Sequence, residues 1–83
     1  MPIIKVINTE KSSRMLERGN KLSLIVDSRT DKETLAEELR TVYGLKVSKI
    51  NVLHTAKGEK KAIVTLDKSH TPDEIATKFG LVM

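Results

Sequence analysis

Residues 30–44 read TDKETLAEELRTVYG and carry the start and stop signals of an amphipathic helix. Thr30 and Glu33 have the spacing of a capping box, in which each side chain satisfies a free backbone N–H of the first turn. Leucines and an aromatic residue then recur at helical spacing on one face, and Gly44 supplies the conformational freedom to end the helix. We therefore predict a helix over residues 31–43 that packs one face against a core.

The segments on both sides of this helix show the two-residue alternation of β-strands. Within 21–28 and 60–66, apolar residues occupy every second position (22, 24 and 26; 62, 64 and 66), and the positions between them are polar except for Ile25 and Ile63. Residues 45–55 are also strand-like, but their apolar phase changes near Lys49, which predicts a β-bulge or a switch of the buried face. A turn-like Ala-Lys-Gly-Glu at 56–59 joins the last two segments and predicts a hairpin.

Two further helices and a short strand complete the chain. Residues 2–7 are rich in β-branched side chains, which indicates an extended lead-in. Asn8 or Thr9 can begin a helix that Gly19-Asn20 ends. Thr71, followed by Pro72 and Glu74, marks the start of the last helix.

The order of these elements predicts the topology. The helix at 31–43 is long enough to cross over between the strands at 21 and 45, which would then run parallel within one sheet. The strand at 60–66 returns from the hairpin and fits between them, with the lead-in beside the strand at 21. The predicted fold class is α+β: a single small domain over residues 1–83, with helices packed on a mixed, mostly antiparallel sheet of three to four strands. Ile25 lies out of phase with its apolar neighbours, so we expect both faces of the sheet to be covered.

Length and composition exclude several classes of protein. Eighty-three residues allow one domain, and the absence of cysteine excludes disulfides, zinc ribbons and thiol catalysis. No apolar run approaches the roughly 20 residues of a membrane span, and the opening MPIIK has no apolar core of a secretory signal. We therefore expect a cytoplasmic protein with no membrane insertion.

The residues that could support catalysis are few. His54 and His70 are the two histidines, and we expect both to be exposed on the surface. The four glycines all lie where a helix or turn must end, so none forms a phosphate-binding loop. Adjacent carboxylates such as Glu37 and Glu38 cannot face each other on a helix. We predict no enzyme activity, no catalytic residue, no metal site and no cofactor.

The net charge of +4 is unevenly distributed. Residues 1–29 carry +3 and residues 46–61 carry +4, whereas residues 30–45 carry −2 and residues 62–83 carry −1. Such segregation is typical of a domain with one side facing a polyanion, although chance fluctuation in a small soluble protein also produces it.

The distribution of aromatic residues indicates which kind of nucleic acid the protein could bind. Tyr43 and Phe79 are the only aromatic residues, and both fall at core-like positions of predicted helices. Single-strand readers stack bases on exposed aromatics, so this class is disfavoured and binding to a duplex backbone remains open.

Basic residues cluster around the predicted hairpin and on the first helix. Around the hairpin lie Lys46, Lys49, Lys57, Lys60 and Lys61, and on the helix lie Lys11, Arg14 and Arg18 at i, i+3 and i+7. Lysines on a rigid scaffold suit phosphate contacts, although lysines on a strand also confer solubility and protect a sheet edge from aggregation.

Several strings occur together in the order and spacing of one known family. They are Thr9-Glu10-Lys11, Asn20-Lys21-Leu22 before Val26-Asp27, Lys32 opening a helix that ends at Tyr43-Gly44, Val47 with Ile50-Asn51, and Gly58-Glu59-Lys60-Lys61-Ala62. The chain resembles large-subunit ribosomal protein number twenty-three over nearly its whole length, and the short turn at 56–59 is similar to the archaeal and eukaryotic members.

This resemblance implies a structural, non-enzymatic protein of the cytoplasmic ribosome. It implies binding to 23S-type ribosomal RNA near the polypeptide exit tunnel, beside neighbouring large-subunit proteins. It further implies docking of the signal recognition particle, the nascent-polypeptide-associated complex or the translocon in place of trigger factor.

The same resemblance, together with the basic clusters, names candidate site residues. The family's RNA-binding positions fall on Lys11, Lys32, Asn51, Lys60 and Lys61, and its factor-docking acidic residue falls on Glu10. The basic clusters add Arg14, Lys46 and Lys57 as candidate RNA contacts. Two alternatives stay open at this point: a free protein-interaction module of similar fold with no RNA role, and a small phosphate-processing enzyme.

Overall fold

The computed structural model describes residues 3–7 and 9–80, which form four strands and three helices. In chain order these are β1 (Ile3–Val6), α1 (Glu10–Gly19), β2 (Lys21–Val26), α2 (Lys32–Thr41), β3 (Val47–His54), β4 (Lys60–Leu66) and α3 (Pro72–Phe79). No helix in these ranges is long and apolar enough to cross a membrane.

The four strands form one sheet in the order β1-β2-β4-β3. Every neighbouring pair is antiparallel. β2 and β3 therefore run in the same direction on opposite sides of β4, with α2 as the connection between them. The predicted α+β class, the central position of β4 and the edge position of β1 are confirmed. The sheet is antiparallel throughout and not mixed, because β4 separates the two strands that run in the same direction.

The predicted bulge lies at the start of β3. Val47 is opposite Leu66 and Lys49 is opposite Thr65, so Ser48 is an extra residue with no partner in β4. This insertion explains the change of apolar phase near Lys49. β3 begins two residues later than predicted, and Leu45, just before it, is already fully buried.

The first helix begins and ends as its sequence predicts. Thr9 Oγ1 accepts the backbone N–H of Ser12 at 3.2 Å, and Ser12 Oγ accepts the backbone N–H of Thr9 at 2.7 Å. Asn8, the other candidate cap, lies outside the described residues. Asn20 ends the helix in the left-handed conformation, at φ 51°. Its side-chain Nδ2 donates to the carbonyl oxygens of His70 at 2.7 Å and Asp67 at 3.3 Å, which fastens the β4–α3 loop to the end of α1.

The second helix starts one residue later than predicted. Asp31, and not Thr30, is its N-cap, because Asp31 Oδ1 accepts the backbone N–H of Thr34 at 2.7 Å. Thr30 is instead buried, and its carbonyl oxygen accepts a hydrogen bond from Lys60 Nζ. The helix ends at Thr41, so Tyr43 lies beyond it.

The core lies between the three helices and one face of the sheet. Its helical members are Leu16, Leu35, Leu39, Ile75 and Ala76, and its strand members are Leu22, Leu24, Val26, Ala62, Val64 and Leu66. The buried residues of all three helices belong to this single cluster, so the helices pack on one face. The expectation that both faces are covered therefore holds only for β2, where Ser23 and Ile25 are buried on the opposite face. Ile25 is 8% exposed on the opposite face. Its cross-strand neighbours are Lys5 and Lys61, whose aliphatic stems can cover it.

Candidate nucleic-acid interface

The sheet face away from the helices is the main candidate for binding nucleic acid. Cross-strand partners share a face, and residues alternate between faces along each strand. Since Leu24 and Ala62 are partners in the core, the intervening residues of β2 and β4 point to the other side. This surface, here called the open face, comprises Lys5, Lys21, Ser23, Ile25, Lys49, Asn51, Leu53, Lys61, Ile63 and Thr65.

The open face is basic and has no opposing charge of its own. It carries four lysines, Lys5, Lys21, Lys49 and Lys61, and none of the four strands contains an aspartate or glutamate. Within the described ranges, none of these lysines forms an ion pair. Four free ammonium groups on one side of a rigid sheet create a field that attracts phosphate.

Between the lysines the surface is partly apolar, and Ser23 and Ile25 of β2 are buried. Leu53 is 49% exposed, while Ile63 and Thr65 are half-buried on the central strand. Asn51 is exposed on β3, and its side chain makes no hydrogen bond within the described part of the chain. The open face thus carries four lysines around the half-buried Ile63, with the exposed Asn51 on the edge strand β3.

The basic row of α1 meets the open face at Lys21. Lys11, Arg14, Met15, Arg18, Gly19 and Lys21 line one shallow depression on the surface. The stem of Lys21 passes 3.6 Å from the place where a Cβ on Gly19 would stand, so the small residue lets the lysine lie along the helix end. The α1 row of Lys11, Arg14 and Arg18 and the open face therefore form one continuous basic surface.

The structure separates two candidate residues that are adjacent in sequence. Lys61 lies on the open face, in register with Ile25 and Leu53. Lys60 is opposite Val26 and His54 on the helix side of the sheet, and its ammonium group donates to the Thr30 carbonyl. Of the hairpin lysines, only Lys61 and Lys49 share the open face.

The other candidate residues lie around the edge of the molecule. Lys57 is exposed in the turn between β3 and β4, and Lys32 is exposed at the start of α2. Lys46 is exposed just before β3 and lines a second depression, between the end of α2 and the start of the strand. Asn51, by contrast, lies on the open face itself.

Glu10, the candidate factor-docking residue, is paired with Arg14. Arg14 Nη2 lies 2.8 Å from Glu10 Oε1, one turn away on α1, and the two side chains are 65% and 81% exposed. A surface pair of this kind is worth roughly 0.3–0.5 kcal/mol, so either partner can leave it for another ligand at little cost.

The histidines divide between exposed and structural positions. His54 is exposed, as expected. His70 is not, since its side chain is only 13% exposed and its Nε2 accepts the backbone N–H of Lys46 at 2.9 Å. The expectation of two surface histidines is wrong for His70, because the start of α3 packs beside the entry to β3 and turns the ring inward.

Tyr43 and Phe79 stack on each other, with ring centroids 4.5 Å apart and planes inclined by 24°. Both are half-buried against the core on the helix side of the molecule. Neither ring is available to stack on a base, as the sequence predicts.

Three aspartates in the loops hold backbone turns together. Hydrogen bonds from the Arg29 backbone lower the pKa of Asp27, and those from the Thr34 backbone lower the pKa of Asp31. The side chain and backbone of Ser69 lower the pKa of Asp67. These carboxylates lie at the ends of strands and helices, outside the open face.

Sequence reasoning missed Lys5 and Lys21 as candidate site residues and named Lys49 only as part of the hairpin cluster. The alternation of side chains along each strand was the available signal. It places Lys21 on the same face as Ser23 and Ile25, and Lys49 on the same face as Asn51. Their convergence depends on strand register, which places Lys21 and Lys49 on either side of Thr65.

Comparison with known proteins identifies the family. The family model for ribosomal protein L23 matches residues 2–74. The chain belongs to the ribosomal protein L23 family. A curated relative, large ribosomal subunit protein uL23 of the archaeon Pyrobaculum aerophilum, is 42% identical over 80 residues, which cover 96% of this chain and 99% of the relative.

Membership of the L23 family confirms the resemblance seen in the sequence. The chain is a structural, non-enzymatic constituent of the large ribosomal subunit and acts in translation on the cytoplasmic ribosome. Its partners are ribosomal RNA and other ribosomal proteins. The phosphate-processing enzyme and the free interaction module are thereby set aside.

Proposed function

We propose that this L23-family protein binds 23S-type ribosomal RNA near the polypeptide exit tunnel through the open face and the α1 row. The observation that carries the proposal is the segregation of charge within the sheet: its strands hold five lysines and no acidic residue, and four of the lysines share the open face. On this proposal residues 1–83 act as one RNA-binding domain.

The proposed mechanism is neutralisation of phosphates on folded RNA. Each phosphate that a lysine or arginine neutralises releases bound counterions, which adds affinity and makes the affinity dependent on salt. Lys61 and Asn51 contact RNA from the open face, and Lys11 and Arg14 contact it from the α1 row. Lys32, Lys46 and Lys57 supply further phosphate contacts around the edge.

A double substitution on the open face tests the proposal. Lys49→Ala with Lys61→Ala should reduce the steepness of log affinity against log salt by about 1.4 to 1.8, or about 0.7 to 0.9 for each lost phosphate contact. The matched control is Lys68→Ala with Lys78→Ala, which removes the same charge from residues outside the open face. An equal change of slope in both double variants would contradict the proposal.

We further propose that Glu10 helps to dock factors at the tunnel exit, namely the signal recognition particle, the nascent-polypeptide-associated complex or the translocon. This proposal rests on the match of the Thr9-Glu10-Lys11 string and on the 81% exposure of the Glu10 side chain. Glu10 forms an ion pair with Arg14, so the proposed docking carboxylate and a proposed RNA contact lie side by side on one helix.

Large subunits that carry Glu10→Ala test the docking role. We expect them to recruit at least one of the three purified factors less well than wild-type subunits do, while subunits with Glu17→Ala on the same helix behave as wild type. Incorporation into the subunit should be normal in both. Unchanged recruitment of all three factors to the Glu10→Ala subunits would remove Glu10 from the docking site.

A further inference from the structure

The lysines of the open face form two rows. Lys21 and Lys49 flank Thr65 in one row, and Lys5 and Lys61 flank Ile25 in the other. Neighbouring strands are about 4.8 Å apart and residues rise about 3.3 Å along a strand. The two lysines of a row lie two strands apart and are therefore about 10 Å from each other. The two rows are four positions apart along a strand, which is about 13 Å.

The strip between the rows carries no aromatic side chain. The buried Ser23, the half-buried Ile63 and Asn51 are in register across it. Asn51 is exposed on this strip, and Thr65 is half-buried in the adjoining row. An amide and a hydroxyl can donate to and accept from a sugar hydroxyl, whereas no group on the strip can stack on a base.

This arrangement discriminates among the classes of nucleic acid. Single strands are held by base stacking, and both aromatic rings of the chain are engaged with each other on the helix side. The deep, narrow major groove of A-form RNA does not admit a flat sheet. Its minor groove is wide and shallow, shows 2′-hydroxyls, and is bordered by a phosphate backbone on each side.

We propose that the open face binds the minor-groove side of double-helical RNA, with one lysine row on each phosphate backbone and with Asn51 and Thr65 at 2′-hydroxyls. The proposal rests on the proposed function and specifies which form of RNA this surface binds. Specificity then comes from helical shape and the ribose, and base sequence contributes little.

Binding of the full-length protein to four probes tests the inference: an RNA duplex of about 20 base pairs, the DNA duplex of the same sequence, an unstructured pyrimidine RNA of equal length, and a large-subunit ribosomal RNA fragment. At one salt concentration we expect the RNA duplex to bind at least about tenfold more tightly than the DNA duplex and the single strand.

Variants separate the ribose contacts from the phosphate contacts. Asn51→Ala with Thr65→Val should reduce the RNA-over-DNA preference by about tenfold and leave the salt dependence unchanged, since two hydrogen bonds are lost and no charge. Lys49→Ala with Lys61→Ala should weaken binding to both duplexes and lower the salt dependence. Circular dichroism verifies that each variant is folded.

The possible failures are distinguishable. Equal or tighter binding of the single strand, or equal binding of the DNA duplex, would overturn the inference, while retained binding of the ribosomal RNA fragment would leave the proposed function in place. An RNA-over-DNA preference that is as large in Asn51→Ala with Thr65→Val as in the wild-type protein would rule out the 2′-hydroxyl contacts. No binding to the ribosomal RNA fragment would overturn both proposals.

Discussion

Replacing Lys60 and Lys61 one at a time by methionine distinguishes a structural lysine from an RNA-binding lysine. Methionine retains most of the aliphatic stem and removes the charge and the N–H donors. Each variant therefore loses mainly the interactions of its ammonium group. Lys60 donates to the carbonyl oxygen of the buried Thr30, and Lys61 is free on the open face.

The expected magnitudes follow from these environments. A hydrogen bond from a charged donor contributes roughly 1.5–3 kcal/mol when buried, and Lys60 is only half-buried, so we expect Lys60→Met to lower the free energy of unfolding by about 1 kcal/mol. For a domain of this size that loss corresponds to a decrease in Tm of about 4–8 °C. Lys61→Met should change the free energy of unfolding by less than about 0.5 kcal/mol.

RNA binding should respond in the opposite way. Lys61→Met should lower the salt slope for ribosomal RNA by about 0.7 to 0.9, whereas Lys60→Met should leave it unchanged. Urea unfolding gives the stabilities, and RNA affinity measured from about 0.05 to 0.3 M KCl gives the slopes. If Lys60→Met lowered the slope as much as Lys61→Met and left stability intact, the assignment of the two side chains to opposite faces would be refuted.

Two predictions concern the loops around the sheet. Asn20→Ala should destabilise the protein by about 1–3 kcal/mol in urea unfolding, and Asn20→Gly by about 1 kcal/mol less. Both variants lose the hydrogen bonds to the β4–α3 loop, but only alanine is strained at φ 51°. Equal losses of stability in the two variants would contradict the argument from backbone strain. Stability should also decrease as pH falls from about 5 to about 3, because carboxyls whose pKa is lowered on folding stabilise the native state only while ionised. Asp31→Asn keeps a capping side chain and removes one such carboxyl, so its urea midpoint should depend less on pH.

Local sequence signals predicted the elements and their order well. Alternation identified the strands, caps and glycines located the helices, and the phase change near Lys49 identified the bulge at Ser48. Asp31 caps α2 in place of Thr30, which is buried and whose carbonyl oxygen accepts a hydrogen bond from Lys60, 30 residues away. Asp and Thr are both favoured at the cap position, so the local sequence locates the start of this helix only to within one residue.

The candidate interface was only partly predictable from the sequence. Proximity in sequence grouped Lys60 with Lys61, although the predicted strand already requires adjacent side chains to point to opposite faces. The approach of Lys21 to Lys49 needs the register of β2, β4 and β3 together. The helices could have covered either face, so the identity of the open face is a tertiary property.

The lysines of the open face also affect the protein before it reaches its RNA. Four like charges on one sheet repel one another in the free chain, and no acidic strand residue relieves them. A polyanion that binds only the native state removes this repulsion and stabilises the fold by mass action. The free protein is therefore the less stable form, and a chain made in excess of its binding sites on RNA is the one most exposed to unfolding and proteolysis.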